Sequence, residues 1–159
     1  GELLVRGPNV FKGYWGLAPA SAQALAGGWF HTGDMAVRDD EGFLTLIDRK
    51  KDMVISGGEN IYPAEVERQL LQHPDVLEAA VIGVPDERWG ETVLALVVTQ
   101  PGIELPAQAL IAWMRERLAH YKCPRRVEIV AQLPRNATGK LLKRVLREQY
   151  TGTGRAFSR

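Results

Sequence analysis

Two runs rich in Val, Leu and Ile, VLEAAVIGV from Val76 and TVLALVV from Thr92, are separated by the polar loop PDERWGE. They read as strong strands. Helical patterns flank them. Pro63 suits a first helical turn, where its missing N–H costs nothing, and Glu65 and Glu67 favour the positive helix end. Val66, Leu70 and Leu71 supply a buried stripe. Pro106 opens a second helix with Leu110, Ile111, Met114 and Leu118 on its core face. RVEIV reads as a third strand. From about Lys140, Leu141, Leu142, Val145 and Leu146 recur at helical spacing, with Lys143, Arg144 and Arg147 mainly opposite. With the strand DMVIS in front, residues from about 51 to 150 predict a βαββαβα unit. It is a small α+β domain, a central three-stranded sheet flanked by helices.

Residues 1 to 50 are β-rich and too short for an independent core. ELLVRG reads as a strand ended by Gly7-Pro8, NVFKGYWG as a loop, and APASAQALAGG as a short helix closed by Gly27-Gly28. MAVR and FLTLI flank a turn in which Gly42 can take positive φ. The boundary falls in the charged run DRKKD, read either as a linker or hinge or as a charged turn. TGTGRAFSR, residues 151–159, reads as a flexible tail.

Composition bounds the function. Of 159 residues, 45% are hydrophobic and 25% charged, the balance of a globular chain. No apolar run approaches the roughly 18 residues of a membrane span, and no secretory signal is visible. The lone Cys123 excludes an internal disulfide framework and suits a reducing compartment, so a cytoplasmic location is expected. The chain opens at Gly1 directly into a strand, as the tail of a longer protein would. Charge is polarised. Fourteen acidic residues against six basic lie between Asp34 and Glu91, and eight basic against one acidic between Lys122 and Arg147. The basic stretch could meet phosphates, a membrane surface or RNA, or it could pair with the acidic part of the same chain. Aromatics are not interleaved with it, which argues against nucleic acid.

Three stretches carry candidate chemistry. HTGD places Asp34 at a glycine turn before a strand, where a carboxylate can accept hydrogen bonds from a ribose diol. DRKKDMVISGGENIYPAEVE joins the hinge-like run to Gly57 and Gly58, which let a backbone approach a ligand closely. PRNATGK ends in Gly-Lys, yet it is no P-loop. Pro134 stands where that motif needs glycine, and Leu141 where it needs Ser or Thr. It sets Lys140 at the mouth of a helix.

In this order and spacing, GWFHTGD, DRKKDMVISGGENIYPAEVE and PRNATGK resemble the C-terminal third of the adenylate-forming ligases: acyl-CoA synthetases, adenylation domains of peptide synthetases, and luciferases. The likeness covers about residues 1 to 150, and SGGENIYPAEVE is most similar to the acyl- and aryl-CoA ligase branch. The resemblance implies that residues 1–50 end a large N-terminal AMP-binding domain and that 51–150 form a mobile lid. It implies Asp34 and Arg49 on the ATP ribose or phosphates, Lys51 as hinge, and Lys140 as the catalytic lysine of adenylation. It further implies Gly57, Gly58 and Glu59 along the CoA pantetheine channel, with Trp89, Tyr121 and Arg125 near the CoA nucleotide. Cys123 stands where a basic residue is frequent in that family. ATP and CoA are the implied co-substrates and a carboxylic acid the substrate. Mg²⁺ is expected to bind through the N-terminal domain, whose phosphate loop and acyl pocket are absent here, so the 159 residues alone are expected not to turn over. The alternatives are an adenylation domain that loads a carrier protein, or a non-catalytic binding module.

Overall fold

A computed structural model describes residues 1–151. The tail expected from Gly152 to Arg159 lies outside the described residues, while Thr151 ends the last helix. The chain separates into two compact units, Gly1–Lys51 and Asp52–Arg159.

The first unit is an antiparallel sheet of β1 (Glu2–Val5), β2 (Phe30–Arg38) and β3 (Leu44–Arg49) in the order β1-β2-β3, with helix α1 (Ala18–Ala24) before β2. The β2–β3 turn is closed by Asp39, whose Oδ1 accepts a 2.8 Å bond from Phe43 N. Gly42 supplies φ +94° there, as the sequence predicts. HTGD is not a turn ahead of a strand. It lies inside β2, where Gly33 at φ +72° sits at a register shift between the His31–Leu4 and Met35–Glu2 pairs with β1. Among the described residues of this unit only Ala36 is a buried apolar side chain, while Val37, Phe43, Leu44 and Leu46 are exposed.

The second unit has its own core. β6 (Val76–Asp86) and β7 (Gly90–Thr99) form a long antiparallel hairpin, and β8 (Arg126–Ile129) lies parallel to β7. These are the three strands expected. The short β4 (Val54–Ser56) and β5 (Glu59–Ile61) extend the sheet to five. β5 occupies residues read from sequence as loop, so Gly57 and Gly58 form a tight hairpin turn.

Helices cover both faces. α2 (Pro63–Leu70) and α3 (Ala107–Arg115) bring Val66, Leu70, Leu110, Ile111 and Met114 against Val81, Val93, Ala95 and Val97. α4 (Lys143–Thr151) sets Leu146 against Ile82, Leu94 and Leu96. Successive side chains of a strand point to opposite faces, so a strand covered on both sides must be apolar throughout. That is why TVLALVV has no polar alternation. Two expectations need correction. Leu71 follows the last turn of α2 and is exposed, and α4 begins at Lys143, three residues beyond Lys140.

Candidate functional site

In the first unit, Asp34 and Arg49 face each other across the β2–β3 ladder. Arg49 Nη1 donates to Asp34 Oδ1 at 3.0 Å and to the Thr32 carbonyl at 3.2 Å. Thr32 Oγ1 accepts from Asp34 N at 3.0 Å and donates to the Leu3 carbonyl. Arg49 therefore holds the carboxylate and Thr32 the backbone of Asp34, while the side chain stays partly exposed. A cleft of about 570 Å³ has His31, Thr32, Gly33, Arg49, Lys50 and Lys51 in its wall. Lys50 Nζ donates to Glu2 at 2.8 Å, and this bond is the main reason the Glu2 carboxyl sits below its ordinary pKa. Glu2 was not anticipated, because nothing in ELLVRG points 48 residues ahead.

In the second unit, Gly57, Trp89 and Arg125 come together. Gly57 N donates to the Trp89 carbonyl at 2.9 Å. Gly57 has φ +60°, and a β-carbon there would lie 2.6 Å from Trp89 Cε3, so the turn requires glycine for conformation and for space. Arg88 and Arg125 hold their guanidinium carbons 4.7 and 4.9 Å from the Trp89 ring centroid, within cation–π range. Trp89 Nε1 is buried and has no partner among the described residues. Gly58 lies beside this cluster in open space, and Glu59 opens β5 opposite Ser56. Tyr121 belongs to another contact. It is half exposed on a 3₁₀ turn, His120–Lys122, with Lys122 Nζ 5.8 Å from its ring centroid.

The basic stretch turns out to be paired with the acidic part of the chain. Lys122 meets Glu65 at 2.7 Å, Lys143 meets Glu67 at 2.7 Å, Arg147 meets Asp52 at 2.7 Å, and Arg135 meets Glu78. Arg126 and Arg144 pair locally with Glu128 and Glu148. Glu67 also accepts from Val81 N at 2.8 Å on strand β6. The hydrogen bond from Lys122 to Glu65 lifts the lysine pKa against an opposing effect of burial. Burial acts in the opposite direction on Cys123, lifting the pKa of its thiol, which lies in the core. Among the described residues, Arg125 and Lys140 are the two members of this stretch without an ion pair.

Lys140 sits in an exposed five-residue turn between Arg135 and Leu141, which are bridged. Asn136 and Lys140 close the turn through their backbones, and Gly139 holds φ +81°. Asn136 itself was not singled out from sequence, although Asn is a turn residue whose side chain can bond the backbone two residues on. No helix of the described residues is long and apolar enough to cross a membrane.

Residues 65–140 match the family model of the AMP-binding enzyme C-terminal domain. Those residues belong to that domain family. The relatives of the chain include acyl-CoA ligases. A feruloyl-CoA synthase from Amycolatopsis is 53% identical over 150 residues, 94% of this chain and 30% of that protein. ATP-bound MatB from Rhodopseudomonas palustris superposes with a TM-score of 0.89 at 40% identity, covering 98% of this chain and 31% of that one. The o-succinylbenzoate CoA synthetase of Bacillus subtilis, in complex with its acyl-adenylate intermediate, gives 0.84 at 46% identity, covering 92% and 30%. The chain thus spans about 30% of the length of the relatives it matches.

Proposed function

We propose that this chain is the C-terminal part of an ATP-dependent acyl-CoA synthetase that works in the cytoplasm. In the first half-reaction a substrate carboxylate oxygen attacks the α-phosphorus of ATP, the bond to pyrophosphate breaks, and an acyl-adenylate forms. In the second, the CoA sulfur attacks the acyl carbonyl, its proton is lost, and AMP leaves with the mixed-anhydride oxygen. Residues 1–50 end the larger AMP-binding domain, 51–150 are the mobile lid, and Lys51 is the hinge. Mg²⁺ binds through parts of the protein outside this chain.

Asp34 takes the ribose hydroxyls, and Arg49 orients that carboxylate and assists at the ribose or phosphates. Lys140 bridges the attacking carboxylate and the α-phosphate. Two anions repel there, and a compact ammonium offsets that repulsion as charge moves to pyrophosphate. Gly57, Gly58 and Glu59 line the pantetheine channel. Trp89, Tyr121 and Arg125 serve the CoA nucleotide.

The observation that carries this reading is electrostatic. Among the described residues, the unpaired cations of the basic stretch, Lys140 and Arg125, are the two that the motif assigns to ligands. In the intact protein, Lys140→Ala should lower ATP–pyrophosphate exchange about 10²–10³-fold and spare thioester formation from supplied acyl-adenylate. Equal loss in both steps removes Lys140 from this role. An acceptor of the acyl group that proves to be a carrier protein and not CoA moves the protein to the carrier-loading branch.

A further inference from the structure

We propose that Asn136 is a positioning residue for Lys140, acting through the Lys140 backbone; this rests on the reading of Lys140 as the adenylation lysine. Asn136 Oδ1 accepts three hydrogen bonds: from Thr138 N at 3.1 Å, Thr138 Oγ1 at 2.8 Å and Lys140 N at 2.8 Å. Asn136 N donates to the Lys140 carbonyl at 3.0 Å, and Asn136 O accepts from Gly139 N at 2.9 Å. Both backbone groups of Lys140 are therefore held by a single residue. The direction in which its Cα–Cβ bond leaves the turn is set, while the side chain stays exposed and unpaired.

The turn is in turn fastened to the sheet. Arg135 donates from Nη1 to the Gly139 carbonyl at 2.8 Å and from Nη2 to Glu78 on β6. A lysine that must reach a phosphate from an exposed loop would ordinarily lose backbone freedom at the moment of reaction. Here the backbone is ordered beforehand, and only the side-chain torsions remain to be fixed. Pre-ordering of this kind lowers the barrier to a positioned reaction, and a misplacement of about 1 Å can cost about 10²-fold. Of the Asn136 side chain the turn uses only Oδ1, and not Nδ2, so the chemistry requires an acceptor oxygen there. A serine hydroxyl supplies one more weakly.

The test uses the intact protein with Asn136→Ala, Asn136→Ser and Lys140→Ala, following pyrophosphate exchange and thioester formation from supplied acyl-adenylate separately. Asn136→Ala should lower kcat of adenylation about 10- to 100-fold, leave KM for ATP in place, and leave the thioester step untouched. Asn136→Ser should recover part of the loss. Hydrogen exchange on the unsubstituted protein should find the Lys140 amide protected despite its exposed setting, a readout that holds even where the alanine variant folds poorly. A normal adenylation kcat in Asn136→Ala, an equal loss in both half-reactions, no recovery by serine, or an unprotected Lys140 amide would each overturn the proposal. A Lys140→Ala protein with normal adenylation instead overturns the role of Lys140 itself.

Discussion

Gly57→Ala is the most discriminating single substitution in this chain. The new β-carbon would stand 2.6 Å from Trp89 Cε3 and 3.1 Å from Cζ3, and the backbone has φ +60°. Placing an L-residue in that region costs about 1–2 kcal/mol. Forcing a packed ring to give way adds about 1–3 kcal/mol. The sum, about 2–5 kcal/mol, is a large share of the roughly 5–15 kcal/mol that holds a domain together. Gly58→Ala is the natural comparison. Its φ is +88°, but no heavy atom lies within 4 Å of the new β-carbon, so only the backbone cost applies. Urea unfolding followed by far-UV circular dichroism should give both variants an unchanged m, with the Gly57→Ala midpoint lower by about 1 M or more at m near 1–3 kcal/mol per M. In a Trp89→Leu background the two alanines should become equivalent, because the clash has been removed. Equal midpoints for the two alanines in the unsubstituted background would refute the claim that Trp89 packs on the turn.

Lys122→Met should destabilise the chain by about 0.5–1 kcal/mol through loss of the Glu65 pair. The lysine pKa is raised, so its contribution is whole below the ordinary lysine value, about 10.4, and fades as pH climbs through the higher native one. The gap between the two proteins in urea melts should be flat from about pH 6 to 9 and close above about pH 10.4. Cys123 is 5% exposed and its thiol pKa is raised by burial. At about pH 8 a disulfide reagent should label it only as fast as the domain opens, with rapid labelling in denaturant.

Much of the second unit was legible because its signals are local. A run such as TVLALVV can satisfy a doubly covered strand, and Pro63 and Pro106 mark helix starts within a residue or so. The turn at Gly42 was legible for the same reason. β5 was not, since ENI is short and polar and becomes a strand only because β4 lies beside it. HTGD misled because a glycine with positive φ normally ends a strand, whereas here β2 pairs with β1 on either side of it, through a register shift. The ion pairs were unreadable in another sense. Arg147 and Asp52 are 95 residues apart, and Lys122 and Glu65 are 57 apart. Composition could announce a basic and an acidic segment, but only the fold decides which charges cancel. Lys140 and Arg125 could be named by motif, while their lack of an ion pair is a property of three dimensions.

That cancellation shapes how the surface looks from a distance. A lysine and a glutamate in contact present a dipole, whose field dies away faster than that of a lone charge, and at physiological salt even a lone charge fades within about 8 Å. An anion diffusing toward the Lys122–Arg147 segment does not meet a smooth positive band. It meets two separate monopoles, Arg125 and Lys140, set among pairs that are nearly silent beyond contact range. A long polyanion finds no track to follow, because counterion release along a backbone needs a row of uncompensated cations. A compact anion that can come within contact range of one such cation loses nothing by this arrangement. The neutralised neighbours act as a filter on the size and shape of what the surface attracts.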